Sequence, residues 1–226
     1  MEWLEQYPVQ VHCITWSNGR INSMTRVLLI RHAENDYTQA GKLAGWKAGV
    51  NLNESGRQQA ALLAEQLAGA PIKAVYSSPL ARALQTARPI AAARGLRVRR
   101  CARLGEVRYG DWQGKSLKAL RRRKLWRLIQ QRPSAASFPG GESIRGVQVR
   151  AVAAIDELVA DHPKDCIAVV SHADVIKMIV AFYLGMALDL YQRIIISTAS
   201  VSELALVSGE VRVLCINQTM TAPGGE

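Results

Sequence analysis

Two stretches of this chain repeat one design. Val27-Leu28-Leu29-Ile30 runs straight into Arg31-His32, and Cys166-Ile167-Ala168-Val169-Val170 runs into Ser171-His172. A continuous apolar run bounded by polar residues reads as a strand buried on both faces. In open α/β sheets, ligands bind beyond the carboxyl ends of such strands. Each run therefore delivers a histidine to the edge where chemistry is expected. The chain has four histidines in all.

The segments between and beside these strands alternate in kind. Asn53 precedes Ala60, Leu63, Ala64 and Leu67 at helical spacing, with Gly69 and Pro71 ending the helix. Lys73 to Tyr76 reads as a short strand. Ser78, followed by Pro79 at a first helical position, reads as the cap of the next helix, which Gly95 closes. Leu96 to Cys101 follows as a strand, then a loop and one very basic helix from Leu117 to Gln130, its buried side Leu117, Leu120, Leu125 and Leu128. Val147, Ala151, Ile155 and Leu158 mark one face of a helix that Pro163 stops. A helix from Val175 to Leu184 and three β-rich segments near Ile194, Leu204 and Val213 complete the pattern, with Gly209 turning the last two into a hairpin. Strands alternating with helices predict an α/β fold: a single three-layer α/β/α domain with a mostly parallel central sheet.

A chain of 226 residues, 49% hydrophobic, has enough material for one sizeable core. Residues 1 to 23 show neither periodicity nor turn logic and are read as an extension outside the core, which spans 24 to 226. His12 and Cys13 fall in that extension and receive no role. The first residues are acidic where a secretory signal would be basic, and the best apolar run, Met178 to Leu188, is too short to cross a bilayer. The four cysteines form no Cys-x-x-Cys pair, which argues against a zinc site or disulfide scaffold and fits a reducing, cytoplasmic setting.

The net charge of +11 is unevenly spread. From Arg94 to Arg132, fourteen Lys and Arg face only Glu106 and Asp111, a local balance of +12 that leaves the remainder near −1. Such a segment calls for an anionic partner without saying which. Arg82 is more pointed. It falls in the first turn of a predicted helix, where the helix end is already partly positive, and a bound anion would resolve the conflict. A solvated surface arginine is the plainer alternative. Each histidine could likewise be a core residue satisfied by a backbone hydrogen bond, but two at parallel strand ends, one beside an arginine, favour a site. A metal would need Glu34 or Asp174 as a third ligand, and no His-x-x-x-His or Glu-x-x-His pair supports one. His162, before Pro163, reads as exposed.

Five blocks in order carry a family likeness: Arg31-His32-Ala33-Glu34; Gly45-Trp46 with Leu52-Asn53-Glu54-Ser55-Gly56; Ser77-Ser78-Pro79-Leu80-Ala81-Arg82; Leu104-Gly105-Glu106 with Gly110-Asp111-Trp112; and Ser171-His172-Ala173. Pro139-Gly140-Gly141-Glu142-Ser143 also fits. From about residue 25 to 215 the chain resembles the histidine phosphatase superfamily, in its phosphoglycerate-mutase-like branch. The resemblance implies that His32 is the nucleophile, forming a phosphohistidine, and that Glu106 is the general acid. It implies that Arg31, Arg82, His172 and Thr38 hold the phosphate, and that no metal or cofactor is used. For Glu106 the alternative is an ion pair with Arg108. Ala33 stands where the family usually has Gly, and Thr38 where many members have Asn. Ala44 and Val107-Arg108 depart from the mutases and lean towards a phosphatase.

The expected function is therefore a metal-independent phosphatase acting on a small anionic phosphomonoester, with the basic segment near Arg121 to Arg127 rimming the site. A phosphoglycerate-type mutase is the first alternative. A nucleic-acid-binding or scaffold protein on an inactive fold is the second, disfavoured because aromatics do not interleave with the charges. No membrane partner is expected, and the resemblance allows a homodimer.

Overall fold

The computed structural model describes residues 23 to 207 and 209 to 219. The extension reading for residues 1 to 23 therefore lies outside the described residues, Ser23 apart, as do His12 and Cys13. Strand β1 (Thr25–Arg31) is buried along its length and runs into a polar loop and the short helix α1 (Asp36–Gln39). Helix α2 (Glu54–Gln66) starts where expected, because the Asn53 side chain accepts the Gly56 N–H at 2.8 Å. Strand β2 (Ile72–Ser77) leads to α3 (Ala81–Ala92) and the short β3 (Val98–Arg100). After an irregular stretch come α4 (Leu117–Leu120), α5 (Lys124–Gln131) and the long α6 (Ile144–Asp161). Strand β4 (Cys166–Ser171), α7 (Ala173–Tyr183) and the hairpin of β5 (Val201–Val207) and β6 (Glu210–Gln218) close the domain.

The six strands form one sheet in the order β3-β2-β4-β1-β5-β6. The first four are mutually parallel, while β5 runs antiparallel to β1 and β6 antiparallel to β5. Two apolar layers flank the sheet. One packs Val27, Leu29, Ile167 and Val169 against α6 and α7; the other packs Leu28, Ile30, Ala168 and Val170 against α2 and α3. The alternation of side chains along β1 and β4 feeds both layers, which is why the middle of each strand, Val27 to Ile30 and Ile167 to Val170, is apolar throughout. The expected three-layer α/β arrangement with a mostly parallel sheet is present. No helix among the described residues is long and apolar enough to cross a membrane.

Four local expectations are corrected. Helix α3 begins at Ala81 with Leu80 in the cap position and no side-chain cap; the Ser78 hydroxyl is committed elsewhere, to His172. The basic helix expected from Leu117 to Gln130 is two helices, broken at Arg121 to Arg123, with Leu120 and Ile129 buried and Leu125, Trp126 and Leu128 half-buried. The segment near Ile194 is not a strand: it follows a 3-10 turn over Leu188–Arg193, and the Ile196 carbonyl accepts from the Arg31 side chain and not from a strand. His162 is not exposed: its ring bonds the Tyr76 hydroxyl at 2.9 Å and Asp165 at 3.1 Å, tying the end of α6 to β2.

Candidate active site

Register brings the two histidines together. Strands β1 and β4 are adjacent and parallel, with Arg31 opposite Ser171, and the His32 N–H bonds the Ser171 carbonyl at 2.9 Å. His32 and His172 therefore leave the sheet side by side, their rings 5.1 Å apart in an edge-on arrangement. Strand β2, on the other side of β4, ends level with them and carries Ser78 and then α3. The first turn of α3 places Arg82 between the rings.

Arg82 is almost wholly buried. Its Nε donates to His32 Nε2 at 3.3 Å, and its Nη2 donates to His172 Nδ1 at 3.3 Å and to the Gly45 carbonyl at 2.9 Å. A guanidinium has donors only, so both ring nitrogens facing it must carry lone pairs. The opposite nitrogens agree: His32 Nδ1 donates to the Ala33 carbonyl at 2.7 Å, and His172 Nε2 donates to Ser78 Oγ at 2.8 Å. Burial, then the Arg82 charge, hold both histidines well below the ordinary histidine range. His32 thus presents a neutral ring with its Nε2 lone pair towards the cleft.

That cleft has a volume of about 400 Å³. Arg31, His32, Asn35, Thr38, Arg82, Glu106 and Asp174 line it. Among the described residues four buried side-chain nitrogens lack a partner, and three belong to this cleft: Arg31 Nε, Asn35 Nδ2 and Arg82 Nη1. Leaving a buried donor unpaired costs about 1–3 kcal/mol, so three in one place amount to a preformed demand for acceptor oxygens. A tetrahedral oxyanion is such a ligand, and two arginines suit it by charge and fork geometry.

Glu106 is buried on the same wall. Its Oε1 accepts the Val107 N–H at 2.9 Å, and its Oε2 lies 3.7 Å from His172 Nδ1. Burial, with the nearby Asp174 charge, pushes its carboxyl up to about 7, against the opposing pull of Arg82 and Arg31. A carboxyl titrating there can hold and release a proton at neutral pH. The alternative pairing with Arg108 is not formed; that guanidinium lies over the Trp46 ring at 4.0 Å. The mouth is rimmed by Lys42 and Arg121, while Trp112, Trp126, Ile129 and Phe138 make an apolar wall.

Residues 27 to 219 match the model of the histidine phosphatase superfamily, branch 1. The chain belongs to the histidine phosphatase superfamily. It is 30% identical over 198 residues to phosphoserine phosphatase 1 of Hydrogenobacter thermophilus, covering 87% of this chain and 93% of that one. Among solved structures it is similar to Bacillus stearothermophilus YhfR, with a TM-score of 0.81 and 28% identity over 86% of this chain and 98% of that one. A phosphoserine phosphatase mutant from Entamoeba histolytica in complex with phosphoserine superposes with a TM-score of 0.79 and 26% identity, over 86% and 97% of the two chains. Phosphoric monoester hydrolysis, the enzyme class expected from the sequence, is the class of these named phosphatases.

All six residues expected at the site from the superfamily likeness, Arg31, His32, Thr38, Arg82, Glu106 and His172, lie at this end of the sheet; five line the cleft, and His172 sits directly behind Arg82. Ala33 fits without strain: it is fully buried, with its N–H on Thr86 Oγ1 at 3.0 Å. The sequence reading missed Asn35. Its Oδ1 caps α1 by accepting the Tyr37 and Thr38 N–H groups, which fixes the side chain and leaves Nδ2 as the free donor. An Asn directly before the Asp36 start of a helix was the available signal. Asp174 was weighed only as a metal ligand; it accepts the Tyr109 hydroxyl at 3.1 Å and forms part of the cleft wall.

Proposed function

We propose that this protein hydrolyses a small phosphomonoester through a phosphohistidine on His32, without a metal. The observation that carries the reading is the set of three unpartnered buried donors, on Arg31, Asn35 and Arg82, in the cleft that His32 Nε2 faces. In this reading the Nε2 lone pair attacks phosphorus, and the bond from phosphorus to the ester oxygen breaks. Glu106 gives its proton to that oxygen, so the alcohol leaves neutral. Water then attacks the phosphohistidine and Glu106 takes its proton, releasing phosphate and restoring His32. Arg31, Arg82 and Asn35 stabilise the charge on the phosphoryl oxygens, with His172 holding Arg82 in place from behind and Thr38 a further donor at the wall. Fixed guanidiniums supply the positive charge that a metal would otherwise bring.

The leaving group carries a second anionic group in this reading. Lys42 and Arg121 at the mouth have no ion-pair partner among the described residues, and a carboxylate on the ester would meet them. Phosphoserine, named for the relatives above, is a compound of that kind and the first to try. A reducing, cytoplasmic setting is consistent with Cys101, Cys166 and Cys215, which are all free thiols. A homodimer belongs to the same proposal on family likeness alone, and light scattering tests it.

The deciding experiment is hydrolysis of p-nitrophenyl phosphate in excess chelator by the wild type and His32→Ala. Turnover that survives chelation and disappears in the variant supports the proposal. Turnover lost to the chelator, or retained in the variant, overturns it.

A further inference from the structure

The loop that carries Glu106 is held from behind by a residue with no place in the chemistry above. Arg150, on α6, reaches under that loop and makes contacts with every donor edge of its guanidinium. Nη1 donates to the Arg103 carbonyl at 2.5 Å and the Gly105 carbonyl at 2.9 Å, and Nη2 donates to the carbonyl of Glu106 itself at 3.0 Å. Glu142 completes the clamp. It takes Arg150 Nε and Nη2 in a two-pronged pair at 2.8 and 2.9 Å, while its Oε2 accepts the Arg108 N–H at 2.9 Å. Its own main-chain N–H bonds the Arg108 carbonyl at 2.9 Å. The backbone is thus pinned on both sides of Glu106. Trp46 Nε1 donates to the same Glu106 carbonyl at 2.6 Å.

Such a clamp exceeds what stability requires. The carbonyls of Arg103, Gly105 and Glu106, in and just after a 3-10 turn over Ala102–Leu104, could have been met by water. Instead a charged side chain, 18% exposed, and its carboxylate partner, 22% exposed, are drawn in to hold them. A proton donor must reach the ester oxygen within hydrogen-bonding distance, and an error near 1 Å in placement costs about 100-fold in rate.

We infer that Arg150, with Glu142, is a positioning residue that sets where Glu106 presents its proton. The inference rests on the reading of Glu106 as the proton donor. It separates two kinds of substrate. Benzyl phosphate releases a poor leaving group that needs the proton, whereas p-nitrophenyl phosphate releases a phenolate that departs largely unaided. A misplaced Glu106 therefore damages the first reaction selectively. A general loss of folding or of phosphate binding damages both alike.

The test compares kcat/KM for the two esters in wild type, Arg150→Lys, Glu142→Gln and Glu106→Gln, below the melting temperature of each. This parameter reports steps up to departure of the leaving group and excludes hydrolysis of the phosphohistidine. Lysine keeps the charge but lacks the fork that serves three carbonyls and a carboxylate together. Arg150→Lys is expected to lose about 10- to 100-fold on benzyl phosphate and less than about 3-fold on p-nitrophenyl phosphate. Glu142→Gln attacks the clamp from its other half, should Arg150→Lys fail to fold, and is expected to show the same split. Equal losses on both esters in both clamp variants, with the split present in Glu106→Gln, would overturn the inference and leave the proton-donor role standing. No split in Glu106→Gln would overturn the role of Glu106 and the inference with it.

Discussion

Arg82 Nε points its hydrogen at His32 Nε2 across 3.3 Å, so one buried cation fixes the protonation pattern of the nucleophile before any substrate arrives. Because the guanidinium never offers a lone pair, His32 can only accept there, and its single proton stays on Nδ1 against the Ala33 carbonyl. Arg82→Lys would keep the charge but lose the geometry that meets both imidazoles and the Gly45 carbonyl at once. A fall of about 100-fold or more in kcat/KM for p-nitrophenyl phosphate is expected, of the size seen when a preorganised charge-stabilising donor is removed. Steady-state kinetics check it, and activity within a factor of three of wild type would show that the fork is dispensable.

The pH profile follows from two shifted groups. Glu106 must be protonated for the first step, and its carboxyl sits at about 7. Above that, kcat/KM for an alkyl phosphate should fall about tenfold per pH unit, once the substrate's own ionisation is accounted for. His32 must be neutral, and burial with Arg82 and Arg31 holds it well below 6.5. No loss from its protonation is therefore expected until well below pH 6.5. Glu106→Gln should abolish the alkaline decline; a decline that persists in that variant would assign it to another group.

Gly56 offers a test in which helix propensity and packing disagree. It lies in the first turn of α2, where alanine would gain about 1 kcal/mol by propensity alone. An added Cβ, however, would stand 2.0 Å from the Glu34 carbonyl oxygen. Overpacking of that kind costs about 1–3 kcal/mol, and backbone cannot swing aside as a side chain can. Gly56→Ala should lower the melting temperature and also activity, because the displaced residue is two positions from His32. A raised melting temperature would show that α2 can shift freely.

Lys42 and Arg121 should matter for binding and not for chemistry. Their alanine variants are expected to raise KM for phosphoserine by about 10-fold, roughly 1.4 kcal/mol, with kcat nearly unchanged. The same variants should leave KM for an alkyl phosphate whose alkyl group carries no charge within about twofold. An equal effect on both esters would mean that these residues serve the mouth in some other way.

Much of this architecture was legible because burial writes a strong pattern. The apolar runs before His32 and His172 could only be two-faced strands, and the Asn53 cap and the Val147 to Leu158 stripe behaved as their spacing required. Three of the four misreadings share one cause, a side chain or backbone group claimed by a distant partner. Ser78 looked like a helix cap, but its hydroxyl serves a histidine 94 residues away. Ile194-Ile195-Ile196 had strand composition, yet the Ile196 carbonyl is taken by Arg31 Nη1 at 2.7 Å. His162 looked like a turn residue until Tyr76 covered it. Asn35 acts through one unpaired donor and Arg150 through bonds to residues 8 to 47 positions away, neither of which leaves a periodic trace in sequence.

The strand order has a bearing on how this enzyme comes into being. β4 lies between β1 and β2, yet it is the last of those three to be synthesised. A growing chain that ends before residue 166 already holds His32, Arg82 and Glu106, but the gap between β1, which leads to His32, and β2, which leads to α3 and Arg82, is unfilled. Closing it joins segments some 140 residues apart, the kind of non-local pairing that makes folding slow. Catalytic competence should therefore appear late and all at once, which makes phosphatase activity a reporter of completed folding during refolding or translation.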